Sequence, residues 1–537
     1  MRVRVLFGIV LAPAFVSSAI AADLPSRKAA AVPAPVFTWT GFYVGINGGF
    51  GGGLVTTKQA LVSPPGSLFG PEDQTINARL PFGDFFAGGQ IGFNYQFANR
   101  IVIGVESDMQ ASALKLKASA AYDHQFNAPG GGSFENYLVG QGRFGQDWYG
   151  TTRARIGYAL TDRFLAYVTG GVAYSKFAST LYWTTGATAG VGPTSITGGG
   201  GSGIKVGGTV GAGVEYALTQ NLTFKTEYLY MRYAGLTTPF QIAHVPAFGN
   251  SSAGPLAQDA GGIHVIRAGL NWKFGDYGLP VEAALTPPLF ASASPVMSWT
   301  GFYVGVNAGY GGGLLEAQTR QFQDAGGGVS ELQSINTRLG FGNFFGGLQA
   351  GYNYQFANNV VVGIETDFQG SAIKLQGSAR YTDAGGGSTN ALSGMADFGQ
   401  DWFGTTRLRL GYAFGGVMPY VTGGLAYSGL AGKFNYSTFT LGFGTTSATT
   451  GAGSEAKIGF AAGAGLEYAI SPNWSVKTEY LYTHYSSLTF GGSGFLNTTG
   501  IGPEAVRVRG HDLGISVVRA GLNYRFDPGT SPVVARY

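Results

Sequence analysis

Cysteine is absent from the 537-residue chain, which excludes disulfides, thiolate metal sites and a cysteine nucleophile. Charge is scarce: Asp, Glu, Lys and Arg make up 12% of the residues, about half the share found in ordinary soluble domains. The 33 basic and 29 acidic residues leave a net charge of +4, too balanced for a protein that grips nucleic acid by its phosphates. Long apolar runs are also missing beyond the first two dozen residues, so membrane-spanning helices, which need about 20 apolar residues, are excluded. What the chain has in excess is glycine, 91 residues, and aromatics, 14%. Without a G-X-Y period the glycines do not make collagen, and the aromatics argue against a disordered low-complexity chain. The profile is that of a β-rich membrane protein rather than an enzyme.

The first residues set the compartment. Arg2 and Arg4 precede a short apolar stretch from Val5 to Val16, followed by Ala19-Ile20-Ala21, the three parts of an export signal. Residues 1–21 are expected to be removed between Ala21 and Ala22. Any membrane insertion must then be by strands, since only helices and closed barrels satisfy their backbones in lipid.

The remainder is a duplication. Trp39-Thr40-Gly41-Phe42-Tyr43-Val44-Gly45 recurs from Trp299 to Gly305, Asn94 to Phe97 recurs at Asn353 to Phe356, and Lys225 to Tyr230 recurs at Lys477 to Tyr482. Arg267-Ala268-Gly269-Leu270-Asn271 recurs from Arg519 to Asn523. One unit covers 39–274, after a lead at 22–38, and the other covers 299–526, before a tail at 527–537. Residues 275–298 between them carry Pro280, Pro287, Pro288 and Pro295, the composition of a linker.

Within each unit the period is two. Ile91 to Phe97, Val210 to Tyr216 and Ile266 to Phe274 each alternate bulky apolar residues with glycine or polar ones, which places one set on each face of a strand. Eight strands per unit are expected, in the first near 42–53, 85–97, 101–113, 147–160, 164–178, 204–218, 221–233 and 263–274. Tight turns at 98–100, 161–163 and 219–221 alternate with connections of roughly 20 to 30 residues, the outer-membrane pattern of short periplasmic turns and long outer loops. The fold class is therefore all-β: a transmembrane antiparallel up-and-down β-barrel, as two tandem eight-stranded barrels or, alternatively, one sixteen-stranded barrel.

The repeated pieces carry a resemblance. Trp39 to Gly45, Gly104-Val105-Glu106-Ser107-Asp108, Arg153 to Tyr158, Tyr167 to Tyr174, Lys225 to Tyr230 and Arg267 to Phe274 together resemble the small outer-membrane β-barrel of alphaproteobacterial surface antigens, an OmpA-type domain of the "porin family". The resemblance implies an outer-membrane location in a Gram-negative cell envelope and a structural or surface-antigen role. It also implies the lipid bilayer and the barrel-assembly machinery as partners, with surface partners open. Two departures stand out: the domain comes twice, and Asp527 to Tyr537 follow the aromatic Phe526 on which such barrels usually end.

Parity puts one set of charges opposite the aromatic face. In the first unit these are Glu106, Asp108, Arg153, Arg155, Glu215, Lys225, Glu227 and Arg267; in the second, Glu365, Asp367, Arg407, Arg409, Glu467, Lys477, Glu479 and Arg519. On the lipid face such a charge would cost about 2–4 kcal/mol at mid-membrane, so the set must face the lumen. It reads either as an ion-selective pore lining or as a neutral salt-bridge network filling a narrow barrel. Four acids and four bases favour the network, because a selectivity ring usually has one sign. Paired carboxylates such as Glu106 and Asp108 read as ion-pair members beside Arg153 and Arg155 rather than as an acid/base couple.

His124, His244, His264, His484 and His511 mostly fall in or beside the expected loops and show no metal-ligand spacing, so no metal, cofactor or catalytic residue is assigned. Trp39, Tyr43, Trp148, Trp272 and Phe274 are expected in an interfacial aromatic girdle. The sequence thus favours a non-catalytic envelope protein, with a porin-like passive channel for small hydrophilic solutes as the alternative and an outer-membrane enzyme as a weaker third. No nucleic-acid partner is expected.

Overall fold

A segment with bulky apolar residues at every second position has one face that water rejects, and glycine on the other face lets neighbouring strands curve tightly. In the computed structural model, which describes residues 37–62, 73–127, 133–188, 193–233, 241–246, 252–274, 298–324, 329–385, 388–441, 445–486, 488–496, 504–510 and 513–526, those segments are strands joined by turns. The signal segment with Ala21 and Ala22, nearly all of the lead and the linker, and the tail lie outside the described residues.

The first repeat forms β1 (Gly41–Val62), β2 (Asp73–Gln96), β3 (Ile101–Ser112), β4 (Lys115–Asn127), β5 (Ser133–Thr161), β6 (Phe164–Thr188), β7 (Pro193–Ala217), β8 (Leu222–Tyr233), β9 (Gln241–Pro246) and β10 (Ser252–Lys273). The second forms β11 (Gly301–Asp324), β12 (Val329–Gln355), β13 (Val360–Gly385), β14 (Ser388–Tyr412), β15 (Val417–Leu441) and β16 (Thr445–Ala469). It ends with β17 (Trp474–Tyr485), β18 (Leu488–Leu496), β19 (Glu504–Gly510) and β20 (Leu513–Arg525).

Near the tight turns each repeat closes on itself. Antiparallel pairing runs β1, β2, β3, β5, β6, β7, β8, β10 and returns to β1, with Tyr43 opposite Lys273 and Gly49 opposite Arg267. The second repeat does the same through β11, β12, β13, β14, β15, β16, β17 and β20, with Tyr303 opposite Arg525. These are two eight-stranded barrels. Their turns are tight enough to hold Arg100 and Asn359 in the left-handed region, at φ 67° and 66°.

Farther from the turns the pairing changes. β2 pairs with β3 only from Phe86 to Gln96, and its outer part, Asp73–Arg79, pairs instead with Ser378–Ala384 of β13. β12 likewise leaves β13 beyond Phe345, and Thr337 and Arg338 lie opposite Ala118 and Lys117 of β4. The ring at this end runs β1, β2, β13, β14, β15, β16, β18, β19, β11, β12, β4, β5, β6, β7, β9, β10 and back to β1. Two eight-stranded barrels thus merge into one sixteen-stave wall, so the two topologies left open by the sequence occupy opposite ends of one molecule.

The strands also outrun their expected limits. β5 begins at Ser133 rather than near 147, β1 reaches Val62 rather than 53, and β7 begins at Pro193 rather than 204. Periodicity misses these extensions because their residues do not alternate cleanly between bulky apolar and small or polar side chains, which is the mark of a strand in sequence.

The barrels also touch through side chains. Phe50 and Tyr310 share the outward parity of Ile46 and Val306, yet they are only 4% and 3% exposed because they meet across the interface, ring centroids 6.3 Å apart. His264 packs 6.0 Å from the Tyr310 ring, with its Nδ1 2.8 Å from the Tyr228 hydroxyl. Toward the tight turns, Phe164 stacks on Tyr468 at 5.5 Å and Tyr216 lies 4.4 Å from the same ring. The expected loop placement is corrected for His124 and His244, which lie within β4 and β9, while His264 and His484 lie within β10 and β17 and His511 lies outside the described residues.

Candidate functional site in the barrel interiors

Each interior is layered. On β8 the inward positions run Lys225, Glu227, Leu229, Met231, Tyr233, and on β10 they run Asn271, Arg267, Val265, Ile263, all buried. Charge therefore occupies the middle of the lumen, with amides toward the tight turns and an apolar layer on the distal side. The apolar layers of the two barrels are continuous under the shared wall, joining residues such as Phe82, Phe144 and Met231 with Phe341, Phe398 and Leu430.

All eight charges of each repeat lie inside the barrel and buried. In the first barrel Arg153 spans three carboxylates, with Nη2 2.5 Å from Glu106 and 3.0 Å from Asp108, and Nη1 2.8 Å from Glu227. Arg267 reaches Asp108 at 2.9 Å and Glu227 at 2.5 Å. Lys225 donates to Glu106 at 2.6 Å, and Arg155 pairs with Glu215 at 2.7 Å. The second barrel repeats the pattern: Arg407 holds Glu365, Asp367 and Glu479 at 2.6, 3.0 and 3.0 Å. Arg519 holds Asp367 and Glu479, Lys477 holds Glu365 at 2.7 Å, and Arg409 holds Glu467 at 2.6 Å. Strand register sets the Arg153–Glu106 and Arg267–Glu227 contacts, whose members are opposite one another, while Lys225 faces Glu215 in register yet crosses the lumen to Glu106, as Arg155 crosses to Glu215.

Several members of this network were not picked out from the sequence. The Tyr43 hydroxyl donates to Glu106 at 2.8 Å, and Tyr303 donates to Glu365 at 2.7 Å. The Arg155 guanidinium lies 4.5 Å from the Tyr167 ring centroid, and Arg409 lies 3.9 Å from that of Tyr420, cation–π contacts in a desolvated setting. Thr151 donates to Asp108 at 2.7 Å, and Asn47, Gln90 and Asn271 form an amide chain ending on Glu215.

Tyr43 is therefore corrected from girdle to interior. The signal was parity, because Tyr43 shares a face with Asn47 while Phe42, Val44 and Ile46 point outward. Gly92 on the next strand makes the room, since a Cβ there would overlap the Tyr43 hydroxyl. Trp39 is likewise buried rather than in the girdle, and Trp148 is half-buried, whereas Trp272 and Phe274 are outward and exposed. Among the described residues no cluster of His, Asp and Glu has the arrangement of a metal site.

Known outer-membrane proteins are similar to this chain over about half its length. The chain is 38% identical over 267 residues to the 31 kDa outer-membrane immunogenic protein of Brucella melitensis, covering 49% of this chain and 99% of that protein. It is 29% identical to the 25 kDa outer-membrane immunogenic protein of Brucella canis, over 45% of this chain and 86% of that one. The 22 kDa outer membrane protein of Rhizobium leguminosarum is 30% identical, over 37% of this chain and 69% of its own length. Each relative thus corresponds to no more than about half of this chain, the length of one repeat. The model of the outer membrane protein beta-barrel domain matches twice, at 24–274 and 283–526. With two closed antiparallel barrels, lipid-type outer faces and these relatives, the chain belongs to the outer membrane protein beta-barrel domain family, is an outer-membrane protein, and carries the family's domain in tandem.

Proposed function

We propose that this protein is a non-catalytic structural and surface component of the outer membrane whose lumens are filled rather than conducting. The observation that carries the reading is the interior network of four acids and four bases per barrel, paired at 2.5–3.0 Å and capped by an apolar layer. Side chains that satisfy one another at that spacing leave little room for an ion with its hydration shell, and an interior of equal charges gives no sign selectivity. The surface-antigen role is supported by the relatives named immunogenic. The bilayer is its standing partner and the barrel-assembly machinery its partner in biogenesis; surface partners would meet the distal wall.

Planar-bilayer recording on the refolded full-length chain tests this. The expected outcome is no stable conductance step. Regular steps with ion selectivity would make the protein a porin-like channel and overturn the reading.

A further inference from the structure

Between the two barrels lies a partly enclosed cavity of about 510 Å3. Its walls are outward-facing side chains of both barrels, among them Val214 and Phe224 on one side and Val306, Ala308, Leu522 and Ala520 on the other. Toward the tight turns its walls include the Phe164, Tyr216 and Tyr468 rings, and beyond it on the distal side the barrels meet through the His264–Tyr310–Phe344 cluster. The concavity is built by small residues, since Ala308 and Ala520 are register partners on β11 and β20.

Several observations limit what can fill it. The walls are continuous with surfaces that face lipid, as Val306 and Leu522 are still 54% and 36% exposed. An apolar cleft of this kind gives water too few partners to hold it. In a bilayer the apolar filler at hand for such a cleft is an acyl chain. At the tight-turn end, which is the periplasmic end, Arg163 sits beside the cavity-lining Tyr216 and donates to the Leu218 carbonyl at 3.5 Å. It is exposed, and among the described residues it has no carboxylate partner. A cation at the mouth of an apolar slot, at the level of a bilayer headgroup, has the chemistry of a phosphate anchor.

We infer that the crevice between the barrels holds one diacyl phospholipid of the periplasmic leaflet, with one acyl chain in the slot and its phosphate on Arg163. The lipid is then a wedge that completes the contact between the two repeats, and the second acyl chain stays in the surrounding bilayer.

Native mass spectrometry of the full chain in maltoside micelles, titrated with phosphatidylethanolamine, tests this. Wild-type protein should keep one lipid under activation that strips the rest. Arg163→Ala should lose it about tenfold more readily, as expected for one charge-assisted hydrogen bond. Ala308→Trp combined with Ala520→Trp should abolish it by filling the slot. Both variants alter exposed outer-face or turn positions, and a heat-dependent gel shift reports that the barrels have folded. Equal retention by all three proteins, retention unaffected by Arg163→Ala, or no tightly held lipid in the wild type would each overturn the inference.

Discussion

At the scale of single residues, the interior arginines hold the barrels' electrostatics together. Arg153 touches Glu106, Asp108 and Glu227 at once, so removing it leaves three buried carboxylates short of a partner. Breaking a buried pair typically costs about 3–5 kcal/mol, whereas an exposed pair in a water-filled pore is worth about 0–1 kcal/mol. Arg153→Leu, and Arg407→Leu in the second barrel, are therefore expected to lower refolding midpoints in urea clearly. Unchanged midpoints with altered ion selectivity would mean that the lumen is aqueous. Tyr43 gives a gentler test, because Tyr43→Phe deletes one donor to Glu106 at a cost of about 1–3 kcal/mol. Gly92→Ala should destabilise further, since the new methyl takes the space of the Tyr43 hydroxyl. The same urea titration ranks the two.

At the scale of strands, the unusual feature is the exchange of partners between repeats. The outer part of β2 would be a bare edge within its own barrel, and unpaired edges are costly and sticky. It is covered by β13, with Arg79 opposite Ser378. The chain has no cysteine, so a designed pair reports without background. Arg79→Cys with Ser378→Cys should oxidise to a disulfide, because facing residues on antiparallel strands sit within bridging distance. After cleavage in the linker the halves should migrate together on a non-reducing gel and separate on reduction. Halves that separate without reductant would show that the β2–β13 pairing does not form. Legibility in the sequence follows the same division. The spans around Ile91 to Phe97 and Ile266 to Phe274 could be read because lipid on one face and lumen on the other enforce alternation. The stretch from Ser133 to Phe144 carries no such contrast, and its strand was missed.

At the scale of the whole molecule, the two repeats are separate barrels at one end and a single wall at the other, so they should be partly independent. A fragment of residues 22–274 retains every pairing of its own lower barrel, closed by β1 and β10. It should refold in detergent as a β-rich, heat-modifiable species. Its distal β2 and β4 segments lose β13 and β12, and limited proteolysis should cut there faster than in the full chain. If neither half folds without the other, the distal wall rather than the lower barrels is the cooperative unit.

The sequence by itself determined the duplication, the strand character and the sorting of sixteen charges to one face, because these follow from a period of two and from the cost of charge in lipid. It also determined the balance of those charges, four against four in each repeat. Which carboxylate each arginine grips was decided by register between neighbouring strands and by reach across the closed lumen, neither of which a single strand encodes. Parity already turns Tyr43 and Tyr303 inward, but tertiary structure decided that they reach Glu106 and Glu365, since that depends on a glycine in the neighbouring strand. It alone decided that β2 leaves β3 for β13, that Phe50 and Tyr310 are covered, and that an apolar slot opens above Tyr468. The last three arise where the two repeats meet, and pairing across separate closed barrels is a long-range choice with no local signature.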